Sequence, residues 1–160
     1  MAQRRDPSLI PLSHDHHHGL VRVFEIRQAL RRGGDLADQL RLTREFYRDD
    51  LTPHFEAEEV VMVPALRAAA ADSEAALARL ADEHRRLRDM AAELDASAAR
   101  LAAFAELLES HIRFEERELF PLYQARVDAA ARAGVEAGVR RILGRSDDSP
   151  RACKLPDGSG

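Results

Sequence analysis

The stretch HIRFEERELFP, residues 111–121, repeats the pattern of HFEAEEVVMVP, residues 54–64. Each begins with His, has Glu four residues on with a second Glu beside it, and reaches Pro ten residues after the His. Positions i and i+4 share one helix face, so His54 with Glu58, and His111 with Glu115, each point one way together. Taken alone, such a pair is an ordinary exposed polar contact. Agreement of order, spacing and proline across two segments points instead to a shared buried site.

Composition sets the frame. The 160 residues are dominated by Ala, Leu, Arg, Glu and Asp, with no Trp and only six Phe and two Tyr. That mixture favours helix over sheet and suits one domain with a single core. A net charge of −4 without a dense Lys/Arg run gives no nucleic-acid footprint. No apolar run of about 18 residues is present, so no membrane partner is expected. The first residues lack the apolar segment of a secretory leader, and the single Cys153 offers no internal disulfide. The expectation is a cytoplasmic protein.

Helical spacing predicts the elements. Ser13 caps a first helix whose apolar face is Leu20, Val23, Phe24 and Leu30, ended by RRGGD. Asp35 caps a second, long helix that runs to about residue 70 and is kinked at Pro53 and Pro64. Asp72 or Ser73 caps a third, with Leu77, Leu80, Leu87 and Leu94. After a break at residues 95–97, a fourth carries Leu101, Phe104, Leu108, Ile112 and Leu119, kinked or stopped near Pro121. A shorter fifth covers about 132–143 and ends at Gly144. The predicted fold is all-α, an antiparallel up-down-up-down four-helix bundle over residues 12–144 with a short extra C-terminal helix. Residues 1–11 form an N-terminal segment, and the Ser/Asp/Pro/Gly-rich residues 145–160 a disordered tail.

The first and third helices echo one another as well. LSHDH, residues 12–16, and LADEH, residues 80–84, each put Leu four residues and an acid one residue before a His. Each helix pair thus supplies one lone His and one His-x-x-x-Glu. Aimed at one interior point, four imidazoles and two carboxylates make a mixed N/O ligand set suited to Fe, Mn or Zn. Glu can bridge two ions, so the two carboxylates suit a dinuclear centre. Glu59 and Glu116, each one helix step of about 100° from its neighbour, are outer or surface acids. In the cluster His14, His16, His17 and His18, the ligand is His16, which lies four residues before Leu20 and matches His84. His17 is the alternative, and His14 and His18 face solvent. Tyr47 and Tyr123 are read as packing residues. No His has Glu three residues before it, which sets aside a ferritin-like di-iron site.

With DHHHGL, HFEAEE, DEHRRL and HIRFEERELFP in this order, the chain resembles bacterial hemerythrin-like (HHE cation-binding) proteins over about residues 10–125. The resemblance implies a bundle around a non-haem, oxo- or hydroxo-bridged centre of two Fe ions. By position, His16, His54, His84 and His111 would be terminal ligands, with Glu58 and Glu115 bridging. Oxygen-carrying members have a second His four residues after the one on the third helix, and Arg88 stands there in this chain. The last carboxylate is Glu115 rather than a later Asp. This pattern resembles the subgroup linked to peroxide, nitric oxide or iron handling more than the oxygen carriers. The expected activity is binding or reduction of a small oxidant (O2, peroxide or NO) at an open metal position. The alternative is a non-catalytic metal-binding sensor or iron-storage module. A zinc-stabilised bundle is disfavoured, since structural zinc prefers closed Cys/His tetrahedra.

Overall fold

Turn chemistry at both chain ends sets the frame of the bundle in the computed structural model, which describes residues 4–144. The expectations for the tail 145–160, Cys153 included, lie outside the described residues. Asp6 accepts from the Ser8 amide and opens a 3₁₀ turn, Pro7–Leu9, which leads directly into α1, Ile10–Arg32. Gly33 ends α1 at φ 64°, a left-handed conformation that glycine adopts without penalty. Asp35 accepts from the amides of Ala37 and Asp38 and starts α2 over residues 36–69. α3 is Glu74–Ala92, and α4 runs over residues 98–126, capped by Ser97 on the Arg100 amide. Asp128 caps α5, Ala129–Leu143, which Gly144 closes at φ 63°.

Three prolines shape the long helices in one way. α2 is α-helical over Leu36–Phe46, Thr52–Ala57 and Val63–Ala69, joined by π turns at Tyr47–Leu51 and Glu58–Met62. α4 is α-helical over Ala98–Phe114 and Phe120–Arg126, with a π turn at Glu115–Leu119 between. Each π turn ends two residues before a proline: Pro53, Pro64 or Pro121. A proline ring clashes with the carbonyl four residues back and offers no N–H to it. One extra residue in the turn moves that carbonyl aside, so each helix continues past its proline.

α1 lies along α4, α3 also packs on α4, and α5 crosses the middle of α2 and the 3₁₀ turn. The result is a helical bundle of four long helices with a shorter fifth, and no strand occurs among the described residues. No helix among them is long and apolar enough to cross a membrane. Two apolar clusters fill the interior. One holds Leu12, Met62, Leu66, Leu119, Tyr123 and Val139, and the other Val23, Ile26, Phe55, Leu87, Leu101 and Phe104.

Three expectations are corrected here. Ser13 is not a cap: α1 begins earlier because Asp6 and Pro7 supply the stronger start signal, and the Ser13 hydroxyl instead donates to Glu116 at 2.7 Å. Leu20 and Phe24 are 39% and 57% exposed, so the inward stripe of α1 is His16, Gly19, Val23 and Ile26. Ser73 does stand before α3, but its hydroxyl turns back to the Ala70 carbonyl and does not cap. Tyr123 is fully buried, its hydroxyl 3.1 Å from Ser8 Oγ, in keeping with a packing residue.

Candidate metal centre

His54 and Glu58 are joined by an ordinary α turn, in which the Glu58 amide bonds the His54 carbonyl. His111 and Glu115 are joined in the same way. Each pair therefore faces inward together, as the i, i+4 spacing requires. α1 adds His16 and α3 adds His84, so each of the four long helices brings one imidazole. All four imidazoles and both carboxylates are buried, Glu58, Glu115 and His84 with no exposure at all.

The donor atoms fall into two groups of four. His16, His54, Glu58 and Glu115 form one, and Glu58, His84, His111 and Glu115 the other; in each, the ligand atoms lie within 4.8 Å of one another. The two glutamates belong to both. His16 Nε2 is 2.7 Å from Glu115 Oε2, and His54 Nε2 is 3.3 Å from Glu58 Oε1. Across the centre, His84 Nε2 is 3.2 Å from Glu58 Oε2 and His111 Nε2 is 3.2 Å from Glu115 Oε1. Six of these buried atoms make no hydrogen bond: both carboxylate oxygens of Glu58 and of Glu115, and Nε2 of His84 and His111. Leaving buried polar atoms unmatched costs about 1–3 kcal/mol per group, and more for charged ones. Cations between them would satisfy all six, so the residues fit a metal.

Every imidazole is oriented from behind. Nδ1 donates to Glu116 in His16 (2.7 Å), to Asp15 in His54 (3.2 Å), to Glu59 in His84 (2.7 Å) and to Glu83 in His111 (2.9 Å). Such a bond fixes the tautomer with Nε2 as the free donor to a metal. Each of these acids neighbours a donor residue in sequence, yet holds a His on another helix. Glu59 and Glu116 thus fill the outer place expected of them. Asp15 and Glu83 were visible in sequence as the acid before each lone His, but nothing in the pattern showed which imidazole they reach.

Electrostatics follow from this packing. Burial opposes charge on His16, His54 and His84, but the surrounding carboxylates outweigh it and raise all three. His84, with Glu115 and Glu58 close to its Nε2 and Glu59 on its Nδ1, reaches about 10. Burial likewise works against the charged carboxylates, yet the imidazoles hold Glu115 well below its usual range and lower Glu58, whose neighbour Glu115 also opposes its charge. The His84 bond pulls the half-exposed Glu59 down to about 2, helped by Arg88.

Beside the first donor group lies a cavity of about 10 Å³, lined by Gly19, Phe46, Leu51, Leu108 and Ile112 together with His16, His54, His111 and the acids Asp15 and Asp50. It has room for about one water-sized molecule. His14 and His17 are exposed, and His18 is half-buried. With Asp15 and Asp50, His18 forms a third group of donor atoms within 4.8 Å. Arg88 is 42% exposed and donates to Glu59 Oε2 at 2.9 Å rather than facing the centre.

A helical bundle with a buried, doubly shared His/Glu cluster able to hold metal defines a cation-binding helical protein. The chain belongs to the hemerythrin family: residues 8–123 match the hemerythrin HHE cation binding domain. No curated protein and no solved structure matched the chain.

Proposed function

We propose that the chain holds two iron ions, one in each four-donor group, and uses them to bind or reduce a small oxidant: O2, peroxide or NO. The observation that carries this reading is that Glu58 and Glu115 belong to both groups with all four of their oxygens unmatched. His16, His54, His84 and His111 would be the terminal ligands. When bound, iron would supply an exchangeable coordination position and one-electron redox chemistry.

The chain's own residues supply the setting. Four donors per group leave a six-coordinate ion short of its full set. The small cavity beside His16 and His54 admits only a ligand of a few atoms, and its apolar wall favours an uncharged one. The apolar clusters exclude bulk water, which strengthens the charge interactions within. Turns of a few residues between helices suit the antiparallel up-down-up-down order that would bring all four imidazoles to one level.

Metal analysis with a visible spectrum, before and after peroxide, tests the reading. About two irons per chain and near-ultraviolet bands that respond to peroxide are expected. Zinc alone, or no metal after anaerobic ferrous reconstitution, would overturn it. Two irons that bind the oxidant without turnover would assign the chain to sensing or storage.

A further inference from the structure

Three arginines touch the outer side of the carboxylates that orient the imidazoles. Arg88 Nη2 donates to Glu59 at 2.9 Å, Arg79 Nε donates to Glu83 at 2.8 Å, and Arg5 Nη2 donates to Glu116. Two of them reach the same imidazole by a second route. The Arg88 guanidinium lies 5.3 Å from the Phe55 ring centroid, and Phe55 stacks on His84 at 3.9 Å. The Arg5 guanidinium lies 5.2 Å from Phe120, and Phe120 stacks on His16 at 5.3 Å with 14° between the planes. The lone imidazoles of α1 and α3 are thus each bracketed by one arginine, through a carboxylate on one side and an aromatic ring on the other.

Arg5 stands outside the matched domain, which begins at residue 8. Its Nη1 donates to Gln124 Oε1 at 3.3 Å, and the Asp6 amide donates to the same oxygen at 3.2 Å. Gln124 Nε2 returns a bond to the Arg4 carbonyl at 3.1 Å, and Arg132 of α5 donates to Asp6 Oδ2 at 2.8 Å. Gln124 and Arg132 also lie beyond the match, which ends at residue 123. These flanking residues form a strap whose inner end is the Arg5–Glu116–His16 line.

We infer that Arg5 is a positioning residue of the metal centre, and that through Glu116 and Phe120 it sets how strongly His16 donates to metal. The inference rests on the dinuclear reading given above. A carboxylate on Nδ1–H makes an imidazole a stronger donor. A guanidinium on that carboxylate draws its charge outward and weakens the effect, and the cation over Phe120 adds to the positive field. Arg5 therefore favours the reduced, less positively charged state of the metal next to His16. Without it, His16 stays in place but becomes more electron-rich, and the oxidised state gains.

The test is a redox titration of the iron-loaded full chain, followed by its near-ultraviolet bands, for the parent, Arg5→Met, Arg5→Lys and Arg126→Met. Arg126 pairs with Asp72 at the surface, so Arg126→Met makes the same charge change away from the site. Arg5→Met should keep its iron and move the oxidised-to-reduced ratio about tenfold toward oxidised at a fixed potential, which is about 59 mV for a one-electron couple. Arg5→Lys should fall between it and the parent, and Arg126→Met should match the parent. A ratio in Arg5→Met equal to that in Arg126→Met would overturn the inference while leaving the dinuclear reading intact. So would loss of iron in Arg5→Met, which would give the strap a structural role only. If the parent takes up no iron, both readings fall together.

Discussion

Asp15 of α1 accepts from His54 of α2, although His16, the neighbour of Asp15, is held by Glu116 of α4. Glu59 of α2 holds His84 of α3, and Glu83 of α3 holds His111 of α4. The four bonds run α1 to α2 to α3 to α4 and back to α1, so each helix orients a donor of its neighbour. Any one outer acid should then matter to a donor it does not adjoin in sequence. Glu83→Gln should lower metal affinity about 10- to 100-fold through His111, with the helical content unchanged. Competition with a calibrated chelator reads this directly, and parent-like affinity would remove Glu83 from the orienting set.

The shared carboxylates and the terminal imidazoles should behave differently on removal. Glu58 and Glu115 each belong to both donor groups, whereas His111 belongs to one. Glu58→Gln or Glu115→Gln should therefore reduce metal content at both positions together. His111→Ala should reduce one more than the other and leave a fraction near one metal per chain. Elemental analysis of the purified variants decides the matter. Half-loading in Glu58→Gln would mean that this carboxylate serves one ion only.

Much of the centre was legible in the sequence because helical spacing carries it. The i, i+4 pairs needed only regular α turns between His54 and Glu58 and between His111 and Glu115, and both turns are regular. The four-residue spacing from His16 to Leu20 does not mark the inward face, because Leu20 is exposed. The echo with His84 is the stronger signal in the sequence, and the inward stripe passes through Gly19, which has no side chain to register in an apolar pattern. The π turns were invisible for a related reason: a proline signals a lost hydrogen bond, not how the helix accommodates it. Arg5 was missed because contacts across 111 residues of chain leave no periodic trace.

Proton release should accompany metal uptake. His84 is held at about 10, above its ordinary 6.5, so near neutral pH the metal-free site carries a proton that metal must displace. With the folded value raised, the stabilisation that this proton brings to the metal-free bundle is complete below 6.5 and is lost as pH rises through about 10. Metal affinity should climb over the same window. Calorimetry in two buffers of different ionisation enthalpy counts the protons. Uptake at pH 7 with no proton released would contradict the charge state described for His84.

α5 docks closely on α2 at Gly138. A Cβ on Gly138 would lie 2.7 Å from Val61 Cγ1, next to the buried Val135 and Val139. Gly138→Val should overfill this contact at a cost of about 1–3 kcal/mol. Thermal unfolding should then occur about 2–4 °C lower for each kcal/mol in a chain of this size. An unchanged melting temperature would show that α5 can move off α2 without loss.

Gly19 sets the size of the small cavity. A Cβ there would stand 2.7 Å from Ile112 Cδ1 and 3.6 Å from Phe46 Cζ, and both side chains line the cavity. The far end of Ile112 is the part able to shift, and the open space beside it is the cavity itself. Gly19→Ala should therefore narrow the cavity without touching a metal donor. One carbon in an apolar pocket changes ligand discrimination by about 10- to 200-fold, so the response to peroxide or NO should slow by at least about tenfold. Metal content should remain that of the parent. Stopped-flow spectra of the loaded variant measure the rate, and a parent-like rate with equal metal content would mean that the ligand approaches by another face.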